Sequence, residues 1–121
     1  MLVEIPVSVG ELIDKITILE IKLDKVKDEN QKKNITKELK LLNKKLSKIS
    51  YPPYEFEVLK SVNARLWEIE DLIRKEEKAG RFGEDFILYA RMIYMYNDTR
   101  ATIKREINEF TKSEIIEEKI Y

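Results

Sequence analysis

Leu12, Ile16, Leu19, Leu23 and Val26 recur at alternating spacings of four and three, the apolar seam of a helix that buries one side. Just ahead of them, Ser8 and Glu11 form a capping box, in which hydroxyl and carboxylate satisfy each other's orphan backbone donors. Pro6 keeps the preceding segment extended, so this helix is predicted to begin near Val9. The polar run from Lys27 to Asn34 interrupts the pattern; Ile35, Leu39, Leu42, Leu46 and Ile49 then resume it as a second helix. Tyr51-Pro52-Pro53-Tyr54 is the strongest stop in the chain, because proline cannot donate within a helix and restricts the residue before it. A third helix carries Leu59, Val62, Leu66, Ile69 and Ile73, with Gly80 as its left-handed cap and Gly83 on the far side of a tight connection. The fourth is predicted from about Glu84 to Phe110, its apolar face formed by Phe86, Ala90, Ile93, Tyr94, Ile103, Ile107 and Phe110.

Short connections force consecutive helices to run in opposite directions. The expected fold is therefore all-α, a single domain over residues 1–121, arranged as an antiparallel up-down-up-down four-helix bundle with short extended terminal segments. Leu2 to Val7 and Ile115 to Tyr121 are too apolar for plain tails and are expected to lie against one end of the bundle. The first helix also carries Ile13, Ile18 and Ile21 away from its seam, and a helix apolar nearly all round is buried nearly all round. Coverage by its own chain and coverage by a second copy, as a homodimer, both fit that feature.

Composition narrows the chemistry. Asp, Glu, Lys and Arg make up 38% of the 121 residues, against a usual share of about 25%, and the 23 basic and 23 acidic residues cancel. Histidine and cysteine are absent. Ser-His-Asp and Cys-His nucleophile systems, histidine proton shuttles, zinc fingers and disulfides go with them. The N-terminal segment lacks the basic region of a signal peptide, and no window approaches the roughly 18 to 20 apolar residues of a membrane span. A cytoplasmic protein is expected. Residues 22–49 hold ten Lys and four acids, with Lys33, Lys37, Lys40, Lys44 and Lys48 outside the apolar seam. Without arginine or an aromatic in that stretch, base contacts and stacking are lacking, so a solvated face is favoured over nucleic-acid binding.

At about 100° per residue, Asn97, Arg100, Lys104 and Asn108 project along the inward face of the fourth helix. Asn63, Trp67, Glu70 and Arg74 flank the seam of the third, and Glu20 on the first is expected at the same height. Buried charge must be paired. One reading is therefore a polar layer that fixes helix register, with Glu70 and Glu20 neutralising Arg100 and Lys104. The other is a pocket for an anionic or sugar-phosphate-like ligand, with Arg100 and Lys104 binding charge, Asn97 and Asn108 giving directional hydrogen bonds, and Trp67 stacking. A register device satisfies its donors internally; a pocket leaves Arg100 or Asn97 facing water. The pairs Glu11/Asp14 and Glu68/Asp71 each lie on one helical turn, as magnesium-binding carboxylates do. They are too far apart to act together, and Asp71 with Lys75 reads as an ordinary i, i+4 ion pair. No metal or other cofactor is expected.

Taken together, IPVSVGELIDKITILEIK (5–22), LWEIEDLIRKEE (66–77), NDTRATIKREIN (97–108) and EEKIY (117–121) resemble a family of small bacterial proteins catalogued as a domain of unknown function. The resemblance implies a stand-alone helical protein, with some relatives encoded near or joined to glycosyltransferase and surface-polysaccharide components. It implies no catalytic residue. Its motifs coincide with the polar stripes and add a second cluster, Glu11, Asp14, Lys15, Asp98 and Arg105. The expected function is a non-catalytic interaction or accessory protein, with a protein partner in glycan assembly. The alternative is a phosphate or sugar-nucleotide binder, or a magnesium-dependent enzyme, using a polar pocket between the first, third and fourth helices.

Overall fold

The computed structural model describes residues 1–121 as four helices and no strands: α1 Val9–Lys25, α2 Glu29–Leu46, α3 Pro53–Ala79 and α4 Glu84–Thr111. Ser8 starts α1, its Oγ accepting from the Glu11 backbone N–H at 3.1 Å. The return half of the expected capping box is missing, because the Glu11 carboxylate is engaged by Lys104 instead. A three-residue break, Val26 to Asp28, separates α1 from α2. Asp28 caps α2 by accepting from Gln31 N–H at 2.9 Å, so α2 begins inside the polar run that the apolar pattern treats as a connection. Pro53 opens α3, where its missing N–H costs nothing. Gly80 closes it at φ 68°, and the Arg81 N–H reaches back to the Glu76 carbonyl at 2.9 Å. Lys112 performs the same turn after α4 at φ 54° without glycine's freedom, and Ser113 N–H closes onto the Asn108 carbonyl at 2.8 Å. The chain is thereby sent back along α4.

The packing has a hub. α1 packs against each of the other helices and α3 against α4, while α2 approaches α1 alone. The core joins Leu12, Ile13 and Ile16 of α1 to Phe56, Leu59, Val62 and Leu66 of α3 and to Ile103 and Ile107 of α4, with Leu46 of α2. Of the extra apolar stripe of α1, Ile13 and Ile21 are buried by their own chain and Ile18 is half-buried, which accounts for the stripe without a second copy. α2 buries only Leu46, and the lysines Lys33, Lys37, Lys40, Lys44 and Lys48 are exposed.

Helix length sets what lies beyond the core. α3 and α4 have 27 and 28 residues against 17 for α1, or about 40 Å against about 25 Å at 1.5 Å per residue. The hub is too short to cover them. No residue from Glu70 to Thr102 is buried, so the far halves of α3 and α4 form a two-helix arm with Gly80–Gly83 at its tip. Two expected core residues, Tyr94 and Phe110, are exposed. At the N-terminus, Leu2, Val3 and Ile5 are also exposed, contrary to the expectation that they pack on the bundle; Glu4 reaches Lys45 at 3.9 Å. The C-terminal segment lies along the side of α4, not against an end, held by pairs from Glu117, Glu118 and Tyr121. No helix is long and apolar enough to cross a membrane.

Candidate functional site

Asp14 is the centre of the polar layer. It sits on α1 at 1% exposure, one turn into a helix whose register is set by Ser8. Arg100 of α4 grips it from one side with both nitrogens of a fork, Nε donating to Oδ1 at 2.9 Å and Nη2 to Oδ2. From the other side Asn63 of α3 donates to Asp14 Oδ1 and to Thr17 Oγ1, each at 2.9 Å. Thr17, fully buried, returns its own proton to the Asp14 carbonyl at 2.8 Å. Arg100 Nη1 donates to Asn97 Oδ1 at 3.3 Å, and Asn97 Nδ2 to the Ile93 carbonyl at 3.1 Å. Three helices are locked at one level.

One turn further along α4, Lys104 donates to Glu11 at 2.6 Å and to Glu117 of the returning tail at 3.3 Å, with Asp14 Oδ2 at 3.9 Å. Lys15 adds an exposed pair to Glu11 at 3.5 Å. Below this, Asn108 Oδ1 accepts from the Gly10 N–H at 2.7 Å, and Ser113 Oγ accepts from Val9 N–H at 3.1 Å while donating to the Ile115 carbonyl. Arg105 pairs with Glu118 at 3.0 Å, and Tyr121 donates to Asp98 at 3.1 Å. Every buried side-chain nitrogen and oxygen has a hydrogen-bond partner. The opening beside Lys104 and Asn108 is a crevice of about 20 Å³, room for about one water.

The expected neutralisers are therefore corrected. Asp14 and Glu11, assigned to a secondary cluster, receive Arg100 and Lys104. Glu20 pairs instead with Lys60 at 3.1 Å. Glu70 and Arg74 are exposed and make no ion pair, Asp71 and Lys75 do not pair either, and Glu68 pairs with Arg65. Trp67 is also outside the layer: Lys25 Nζ lies 5.6 Å from its ring centre, beside an open cleft of about 670 Å³ lined also by Lys22, Lys27, Gln31 and Asn34. Arg100, Lys104, Asn63, Asn97 and Asn108 do converge with one another through α1. Gly10, Thr17, Ser113 and Glu117 were missed; the tail acid could not be placed without knowing that Lys112 reverses the chain.

Electrostatics follow the geometry. The hydrogen bond to Asp14 holds the Arg100 guanidinium above its ordinary pKa. Burial works against the charge of Lys104, but the hydrogen bond to Glu11 and the fields of Asp14, Glu11 and Glu117 outweigh it, leaving Lys104 above the usual lysine value. Glu117 is held below the usual glutamate value, first by Lys119 and then by Lys104. A raised lysine contributes stability that is complete below its unfolded pKa and disappears as pH climbs through the folded one. A lowered glutamate contributes above its unfolded value and loses it as pH falls through the folded one. The tail, held by side-chain pairs from Glu117, Glu118 and Tyr121, should therefore detach from α4 on acidification below the glutamate range, read as NMR shifts of residues 113–121 moving to those of an unstructured segment while the core signals hold. Alkaline unfolding above the lysine range should be steeper in the native chain than in Lys104→Met; equal slopes in a pH series of melts would remove Lys104 from the account.

No buried side-chain nitrogen or oxygen of this layer lacks a partner, and no three acids are placed to hold a metal ion. What it can do is fix α1, α3, α4 and the tail in one register. The uncovered surface lies on the arm. From Phe86 to Tyr96, ten of eleven residues are apolar or aromatic, Arg91 being the exception. Phe86, Tyr89, Ile93 and Tyr96 are half-buried, while Ile87, Leu88, Tyr94 and Met95 on the outer side are each more than half exposed. The signal was in the sequence, since this segment is apolar all round just as α1 is.

A self-locked four-helix protein with an apolar arm is the class these features define. The chain belongs to the family described as "Family of unknown function (DUF6165)", which matches residues 1–121. No curated protein and no solved structure matches it.

Proposed function

We propose that this protein is a non-catalytic interaction module, in which the locked base presents the α3–α4 arm to a protein partner. The observation that carries the reading is the outer face of α4, where Ile87, Leu88, Tyr94 and Met95 are each more than 50% exposed on a helix with one charge in eleven residues. Contiguous apolar surface of this kind marks interaction sites in soluble proteins. The polar layer supports it from the other direction, because its buried groups are all paired within the chain and hold the base rigid. The up-down-up-down course belongs to the same reading: Gly10 beside Asn108 and Asp14 beside Arg100 support opposed directions for α1 and α4. So does an accessory role in cytoplasmic glycan assembly, which rests on the family resemblance.

A photo-crosslinking residue at Leu88, introduced in cells, should give discrete protein adducts; the same residue at Lys40 on the lysine face should give none. Equal labelling at the two positions, or none at Leu88 and Met95, would refute the docking role. A second reading, a binder of phosphate-bearing or sugar-nucleotide ligands, is favoured by one observation, the cleft where Trp67 lies beside Lys22, Lys25 and Lys27. Titration with sugar nucleotides and magnesium tests it: a thermal shift abolished by Trp67→Ala is expected, and no shift across the panel rejects it.

A further inference from the structure

On the outer side of α4, Leu88, Arg91, Met95, Asp98 and Thr102 recur at spacings of three, four, three and four. They form a second helix-packing seam, with Ile87 and Tyr94 beside it. It lies on the opposite side of the helix from Phe86, Tyr89, Ile93, Tyr96 and Arg100, the seam that faces α3 and the base. All five residues of the outer seam are exposed.

We infer that this seam packs against the same seam of a second copy, the two α4 helices antiparallel and the two-fold axis passing between Tyr94 and Met95. The inference rests on the docking role proposed above and names its occupant. Charge supports this choice. Arg91 and Asp98 stand two turns apart on one face with opposite signs, too far apart along the helix to pair with each other. Arg91 makes no ion pair within the chain, and Asp98 meets only the neutral phenol of Tyr121. In a two-fold antiparallel contact residue i meets residue j and j meets i. The register that sets Arg91 against the partner's Asp98 also brings Met95 beside the partner's Met95 and Leu88 beside the partner's Thr102. Both charges are thus matched twice by one symmetry axis. A parallel pairing would oppose Arg91 to the partner's Arg91.

Area supports it as well. With Ile87, Leu88, Tyr94 and Met95 each more than half exposed, these side chains offer about 400 Å² per copy, and Arg91, Asp98 and Thr102 raise it to roughly 600 Å². The total of about 1,200 Å² reaches the lower bound for a specific interface. A micromolar dissociation constant is the matching expectation. A lipid surface fits less well, since the seam carries a charge of each sign and its helix starts with Glu84 and Asp85.

Sedimentation equilibrium on the full chain and on Arg91→Asp, Asp98→Arg and the exchanged pair tests the inference, with circular dichroism confirming that each folds. The native chain should dimerise in the micromolar range. Each single exchange places like charges together twice and should weaken the dimer by about tenfold or more; the double exchange should recover most of the loss. Because the chain lacks cysteine, Met95→Cys should also give a single disulfide-linked dimer on mild oxidation. A native chain that stays monomeric, or a dimer indifferent to the charge exchange, overturns the inference. A monomer that still yields foreign-protein adducts at Leu88 overturns the second copy alone, whereas loss of all adducts there, including that of twice the chain mass, overturns the docking role with it.

Discussion

Asp14→Ala should destabilise the protein by about 3–5 kcal/mol, the usual result of removing one partner of a buried charge pair. The carboxylate is 1% exposed and accepts from Arg100 through both oxygens and from Asn63. Its loss leaves a guanidinium, already three-quarters covered, facing a buried amide and a buried hydroxyl. Lys104 suffers less, because Glu11 and Glu117 remain within 3.3 Å. Against a total of about 5–15 kcal/mol for a domain, such a loss is a large part of the whole. Urea unfolding measures it. Arg100→Met combined with Asp14→Leu should cost less than Asp14→Ala alone, since no guanidinium is left uncompensated and only Asn63 loses an acceptor. A single-variant loss under about 1 kcal/mol, the scale of a surface pair, would show that Asp14 is not the keystone of the layer. Glu70→Gln is the control: that side chain is exposed and unpaired, and the substitution should stay within about 0.5 kcal/mol.

The contrast between Asp14 and Glu70 shows what the sequence could and could not reveal. Helix identity was legible because Leu12 to Val26, Ile35 to Ile49 and Leu59 to Ile73 each repeat at helical spacing, and Pro52-Pro53 and Gly80 are stops with a mechanism. That Arg100, Lys104, Asn97 and Asn108 turn inward followed from the same angular arithmetic. Their acids did not follow. Periodicity gives direction around an axis but not height between helices, and estimating height from loop lengths assigned Glu20 and Glu70 where Asp14 and Glu11 belong. The tail was opaque for another reason: its position depends on Lys112 adopting φ 54°, a conformation that composition does not announce. The arm was legible in principle. Residues 86–96 carry the all-round apolarity that marks α1, but only the relative lengths of the helices decide that α1 is wrapped and this segment of α4 is bare.

Gly10→Ala should destabilise the protein by about 1–3 kcal/mol, the range for forcing a methyl group into a filled contact. Judged by helix propensity alone it should stabilise, by up to about 1 kcal/mol. Geometry decides the sign. A Cβ on Gly10 would stand 2.5 Å from the Lys104 carbonyl oxygen and 2.9 Å from Asn108 Oδ1. The first obstacle is backbone, which cannot rotate aside as a side chain does, so α1 must lift from α4. Lifting it stretches the 2.7 Å bond from Gly10 N–H to Asn108, whose oxygen is buried and has no water to replace the lost donor. It also draws Glu11, the next residue, and Asp14, one turn on, away from Lys104 and Arg100, so the steric cost propagates into the charged layer. The two sites should therefore be coupled. Gly10→Ala should cost less in the Asp14→Leu/Arg100→Met background, where the Asp14–Arg100 pair is gone and only the Glu11–Lys104 pair remains to be strained. Equal costs in both backgrounds would mean that the glycine contact and the charged layer hold the helices independently. A stabilised Gly10→Ala would mean that α1 is free to shift on α4, and the close approach would then explain nothing about why glycine stands there.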